Sequence, residues 1–224
     1  MYHFDLKKYL CYSSNSHGHV QGRPNISPSY WTHYTHDKTL REWNCHLLTN
    51  KCWEQVPVSP NERSAIEQLV QRTWMTQYVG HGRDAKGLPS LNYNRMLVVD
   101  IQRIENPILA EKYCQYRATL FHRVGKLEQP FTKLEDIPYT KRGHILTSPK
   151  KRDDTLSRDM YPMVNEHYLF HGTTADKIDV IAAQGFGNRL TQSAMFGPGV
   201  YAAESPTKSD QYSGKIAAVL ILNI

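Results

Sequence analysis

Three helix starts are written into this chain by one local device, a side-chain cap followed at once by proline, with only short apolar runs between them. Ser59-Pro60-Asn61-Glu62 is a capping box: the serine hydroxyl accepts from a first-turn N–H and the glutamate reaches back to the serine N–H. Proline at the first helical position has no N–H to waste. Ile66, Leu69, Val70 and Trp74 then recur at helical spacing, which predicts a helix over about 60–78. Asn106-Pro107 starts a second helix, with Leu109, Tyr113, Tyr116 and Leu120 as its apolar face. Asp176 to Gln184 is a further helix, with Ile178, Ile181 and Ala182 inward and Gly185 as its left-handed C-cap. Ser205-Pro206 opens a short one. The runs at 96–101 (MLVVDI), 168–170 (YLF), 200–203 (VYAA) and 217–224 (AAVLILNI) read as short strands, the first and last of them buried. The last is far short of the roughly 20 residues of a spanning helix. Helices alternating with isolated short strands predict an α+β fold.

A chain of 224 residues can bury a sizeable core, and a net charge of +6 suits phosphate-bearing ligands. The basic residues are dispersed except at Lys150, Lys151 and Arg152, which sit in a proline-rich stretch read as a solvated loop, so nucleic acid is not an expected partner. Cys11, Cys45, Cys52 and Cys114 form no CxxC pair, which points to a reducing compartment, and the N-terminus lacks an apolar leader. A cytoplasmic or nuclear location and no membrane partner are expected. His17, His19, His33, His36, Cys45, His46 and Cys52 are too irregularly spaced for a zinc site, so no metal is expected. The aromatic residues of 30–53 read as strands packing on a helix.

The stretch 197–212, GPGVYAAESPTKSDQY, carries the chemistry. Gly197-Pro198-Gly199 turns the chain, and Ser209 and Tyr212 stand at i and i+3 on the helix after Ser205, on one face. Tyr201 can approach that face. Two phenol rings beside a hydroxyl suit a flat cationic ring through cation–π attraction; the same spacing also fits two core tyrosines whose hydroxyls meet backbone. His171-Gly172-Thr173, read as a polar turn between the 168–170 strand and the next helix, is a common place for a ligand.

FHGT at 170–173, MFGPGVYAAE at 195–204 and SPTKSDQY at 205–212, with VVDIQRIENPILAEKYCQYRATL at 98–120, together resemble the catalytic domain of the poly(ADP-ribose) polymerase family, in the subset of tankyrases and mono-ADP-ribosyltransferases. The resemblance implies the ADP-ribosyltransferase fold: two small, mostly antiparallel sheets around a NAD cleft with flanking helices. It makes 58–224 the catalytic domain and 1–57 an extension. It implies NAD+ as ADP-ribose donor, release of nicotinamide, and protein side chains as acceptors. His171 and Tyr201 would be the catalytic pair. His171, Gly172, Tyr201, Ser209 and Tyr212 would hold NAD+: Gly172 and Ser209 on the carboxamide, Tyr212 and Tyr201 on the two sides of the ring, His171 on a ribose hydroxyl. Asn188 or Arg189 would meet the adenosine or pyrophosphate. The family's third catalytic position, a glutamate from a later strand, has no counterpart up to Ile224. The resemblance therefore implies a domain truncated at its C-terminal end and mono-transfer rather than polymer formation. The alternative is an inactive NAD- or ADP-ribose-binding interaction module.

Overall fold

The computed structural model describes residues 27–28, 30–35, 51–79, 94–126, 147, 156, 161, 164–187 and 197–213, and the backbone of 218–223. β1 (Glu54–Pro57) leads into α1 (Pro60–Thr73), where the capping box forms as expected: Ser59 N–H donates to Glu62 Oε2 at 2.9 Å and Glu62 N–H to Ser59 Oγ at 3.3 Å. Ile66, Leu69 and Val70 are buried. The helix stops at Thr73 rather than near 78, so Trp74 caps it instead of extending its apolar face. A competing acceptor explains the stop. Met75 N–H turns out of the helix to Thr207 Oγ1 at 2.9 Å, and a single 3-10 turn, Thr76–Tyr78, follows.

The predicted buried strand at 96–101 is not one. The sheet pairing lies just beyond it, in β2 (Gln102–Glu105), antiparallel to β1 with Gln55 opposite Ile104. Over 96–99 side chains of α1 bond the backbone where a neighbouring strand would: Gln71 Nε2 donates to Met96 O at 2.7 Å and Arg63 Nη2 to Val99 O at 3.1 Å. Met96, Val98 and Ile101 pack towards the α1 core, while Leu97 and Val99 are 79% and 80% exposed. The continuous apolar run was expected to be buried throughout, but only one of its faces has a partner.

α2 (Pro107–Gly125) begins where Asn106 and Pro107 place it, but its buried residues are Pro107, Ala110, Cys114 and Arg117. Tyr116, expected inside, is 63% exposed. The reason is the partner surface: Trp31, Tyr34 and Cys52 pack on this helix, and their bulk leaves room for alanine and cysteine opposite. The N-terminal aromatics thus pack on a helix as expected, although 30–35 hold no strand. Cys52 and Cys114 are free and buried, and burial pushes the Cys114 thiol up to about 12.

β3 (Tyr168–Thr173) runs through His171-Gly172-Thr173, which is therefore strand and not turn. β4 (Ala218–Asn223) pairs antiparallel along its whole length, Tyr168 opposite Asn223 and Thr173 opposite Ala218. Tyr168 and Phe170 bury against Ile66, Leu69 and Val70 of α1. The next helix starts as a 3-10 turn, Ala175–Lys177, and becomes α3 (Ile178–Gln184), with Ala182 fully buried. Gly185 takes the positive φ expected of it, 74°, but with ψ −168°, so the chain leaves α3 extended rather than through the αL cap.

Asn106 joins the two halves. Its Oδ1 accepts Leu109 N–H at 3.0 Å, capping α2, and its Nδ2 donates to Ala182 O and Ala183 O at 2.8 and 3.2 Å, capping the C-terminal end of α3. Asn106→Ala should cost about 2–3 kcal/mol, the loss of a helix cap plus orphaned carbonyls. A urea-unfolding midpoint unchanged from wild type would contradict this double role. The described residues thus form an α+β structure with two two-stranded antiparallel sheets.

Candidate active site

β3 has a second neighbour on the edge away from β4. Phe170 N–H donates to Ala203 O at 2.7 Å and Ala203 N–H to Phe170 O at 2.8 Å, an isolated antiparallel pair. This bridge is all that remains of the strand expected at 200–203. Backbone groups alternate between the two edges of an antiparallel strand, so the N–H and C=O of Gly172 turn to the same edge as those of Phe170. Beyond Ala203 the 197–202 segment makes no further ladder with β3. Gly172 therefore presents a donor and an acceptor to the gap between β3 and the segment that carries Tyr201.

α4 (Pro206–Asp210) closes this region from one side. Ser205 caps it, accepting Thr207 N–H at 3.3 Å, with Pro206 at the first position. Ser209 is 3% exposed and its hydroxyl donates to Phe170 O at 2.8 Å, the same carbonyl that receives Ala203 N–H. The backbone of Ser209 lies directly against Gly172: a Cβ there would stand 1.8 Å from Ser209 O and 2.6 Å from Ser209 C. Only glycine allows this approach.

Tyr212 lies two residues beyond the end of α4, yet the i, i+3 relation survives, because Tyr212 N–H closes a tight turn on Ser209 O at 3.0 Å. Its ring is 49% exposed, and the Lys208 ammonium stands 5.0 Å from the ring centroid. Tyr212 thus already attracts one cation. Tyr201 is 40% exposed and its hydroxyl donates to Gly197 O at 2.7 Å. The hydroxyl meets backbone, as the core reading of the tyrosines required, but neither ring is buried.

His171 projects from the face of β3 opposite Phe170. Its Nδ1 lies 2.7 Å from Tyr201 O. A carbonyl only accepts, so Nδ1 carries the hydrogen, and in the neutral ring Nε2 is left as an acceptor. Phe186 packs edge-on against the imidazole at 4.8 Å between centroids. β3 and the 197–212 segment thus bring His171, Gly172, Tyr201 and Ser209 together, with Tyr212 at the end of the helix that holds Ser209. Asn188 and Arg189 lie outside the described residues, as does the loop around Lys150.

Residues 81–222, well over half of the chain, match the poly(ADP-ribose) polymerase catalytic domain. The match spans β3, the glycine turn and α4, and ends within β4.

The chain belongs to this family.

Members of the poly(ADP-ribose) polymerase family use NAD+ as substrate and transfer its ADP-ribose part. Within the matched span stand an edge amide and carbonyl at a glycine that tolerates no side chain, and a histidine whose Nδ1–H is held by Tyr201 O, leaving Nε2 as an acceptor in the neutral ring. Among the described residues no group of three or more His, Cys, Asp or Glu gathers to hold a metal, and no helix is long and apolar enough to cross a membrane. Of the possible ligands weighed from the sequence, His33 stacks edge-on against Tyr34 at 4.7 Å and Cys52 is in the core. Cys11, His17, His19, His36, Cys45 and His46 lie outside the described residues.

Phe186, Thr207 and the carbonyl of Phe170 belong to the site region and were not legible beforehand. The first follows a helix-ending glycine without any periodic pattern, and the others act through contacts across more than 30 residues of chain.

Proposed function

We propose that this chain transfers a single ADP-ribose unit from NAD+ to a protein side chain, as a mono-transferase in the subset of tankyrases and mono-ADP-ribosyltransferases. The observation that carries the proposal is the fit of Gly172 against Ser209, which leaves a backbone donor and acceptor side by side at a glycine with no room for a Cβ. A primary carboxamide is the complementary group: its C=O takes the Gly172 N–H and its NH2 the Gly172 C=O. The Ser209 hydroxyl has spent its proton on Phe170 O, so its oxygen would accept from that NH2. Tyr212 and Tyr201 would flank the cationic ring, and His171 Nε2 would accept from a ribose hydroxyl.

In the reaction the bond between the anomeric carbon and the pyridinium nitrogen breaks, the nitrogen keeps the electron pair and nicotinamide leaves neutral. An acceptor oxygen or nitrogen then bonds the anomeric carbon, losing its proton to solvent if it carried one. Charge builds on the ribose as the bond lengthens, as in glycoside hydrolysis. The protein contributes by holding both ends of the substrate still. Elongation into polymer would call for a carboxylate beside the nicotinamide ribose.

The test is labelling of acceptor protein with radiolabelled NAD+ by wild type, His171→Ala and Tyr201→Ala, each with a melting curve beside it. Both variants should lose about a hundredfold in labelling rate, the usual penalty for misplacing a reacting group. Equal labelling by all three would sink the assigned site. NAD+ binding with no nicotinamide released by wild type would make the chain a binding module instead.

A further inference from the structure

α4 is five residues long, too short to hold its own geometry by internal hydrogen bonds. Its shape must be imposed from outside, and most of the bonds that do so come from polar side chains. Ser209 ties it to β3, and Ser213 Oγ donates back to Ser209 O at 3.0 Å. Two further bonds run to a segment remote in sequence and outside the substrate site. Thr207, 2% exposed, accepts Met75 N–H on Oγ1 at 2.9 Å, and Gln211 Nε2 donates to Tyr78 O at 3.2 Å. Gln211 Oε1 also receives the Lys208 ammonium at 2.9 Å. The two clamps bracket Ser209 in sequence and seize both ends of one 3-10 turn, Thr76–Tyr78, which hangs from the C-terminal end of α1.

We infer that Thr207 and Gln211 are positioning residues for nicotinamide, acting through Ser209 and Tyr212, and that the turn after α1 sets the site's affinity for the nicotinamide end of NAD+. The inference rests on the transferase reading above and deepens it. Neither side chain touches the substrate in that reading. Both clamp bonds run to the helix that carries Ser209, so the turn's influence falls on the nicotinamide end of the substrate. Anything that bends the 75–79 segment thereby tunes binding of nicotinamide while leaving the adenosine end alone.

The experiment titrates the full chain separately with nicotinamide and with ADP-ribose, by calorimetry, for wild type, Thr207→Val, Thr207→Ser and Gln211→Ala. Valine keeps the shape of threonine and removes the acceptor. Thr207→Val should weaken nicotinamide about tenfold, the worth of one buried hydrogen bond, and Gln211→Ala, whose bond is solvent-exposed, about fivefold, each leaving ADP-ribose within about twofold. Thr207→Ser, which retains the hydroxyl, should bind both as wild type does. Equal weakening of both ligands would reduce the clamps to general stability and overturn the inference, as would unchanged nicotinamide binding by both clamp variants. Failure of wild type to bind either ligand would remove the transferase reading itself, and the inference with it. If Thr207→Val does not fold, Gln211→Ala, at the exposed end of the clamp, decides between the same outcomes.

Discussion

Gly172→Ala is expected to abolish nicotinamide binding and to lower stability by about 3 kcal/mol or more, beyond the usual cost of an extra methyl in a packed region. The size follows from what the new Cβ would meet. It would stand 1.8 Å from Ser209 O, a backbone atom that already accepts Tyr212 N–H and the Ser213 hydroxyl at 3.0 Å each. A flexible side chain would swing aside, but this carbonyl cannot move without breaking the turn that carries Tyr212. β3 cannot yield either, since it is paired to β4 from Tyr168 to Thr173 and bridged to Ala203 at Phe170. The methyl therefore separates β3 from α4, and the donor, acceptor and hydroxyl proposed for the carboxamide no longer converge. Ser209→Gly in the same chain should not restore binding, because the obstruction is main chain. Urea unfolding measures the first effect and calorimetric titration with nicotinamide the second; wild-type values in both would mean that β3 and α4 do not meet as described.

Glu105→Gln should be at least as damaging to stability, by about 3–5 kcal/mol, while leaving the site's own residues in place. Glu105 is fully buried, and its carboxylate accepts three consecutive backbone N–H groups: Thr32 on Oε1, His33 and Tyr34 on Oε2, each at 2.9 Å. Arg103, also buried, adds Nη2 at 2.8 Å and Nε at 3.1 Å, and reaches on to Glu62 of the α1 capping box at 3.1 Å. One carboxylate thus holds the 30–35 segment, β2 and the start of α1 together. An amide in its place turns two N–H donors towards groups that need acceptors.

The same carboxylate fixes a pH dependence. Burial by itself would raise the Glu105 pKa, but the N–H groups of Thr32 and Tyr34, the Arg103 guanidinium and the His33 N–H outweigh it and hold the carboxyl below its ordinary value of 4.5. Glu62 is lowered in the same way, its burial outweighed by Ser59 and Arg103. A carboxylate whose folded pKa lies below its unfolded one stabilises fully above the unfolded value and progressively less as pH falls through the folded one. Melting temperature should therefore fall as pH drops below about 4.5, and Glu105→Gln should flatten that slope. A slope identical in wild type and variant would place the acid sensitivity elsewhere.

Local signals were legible where the chain states them locally: Ser59, Asn106 and Ser205 cap the helices they precede. Tertiary partners were not legible. Trp74 leaves its helix because Thr207, 133 positions on, takes the N–H of Met75; Tyr116 faces solvent because Trp31 and Tyr34 fill the space over Ala110 and Cys114. Among the site residues, the grouping of His171 and Gly172 with 201–212 came from the resemblance. The reason glycine stands at 172 became visible only once Ser209 O was found against it.

A structure of the full chain determined with nicotinamide at saturating concentration tests the central assignment most directly. The carboxamide is expected on the N–H and C=O of Gly172, within hydrogen-bond reach of Ser209 Oγ, with the ring against Tyr212. Nicotinamide bound at any other place, or bound equally well by Gly172→Ala in a matched titration, would contradict it.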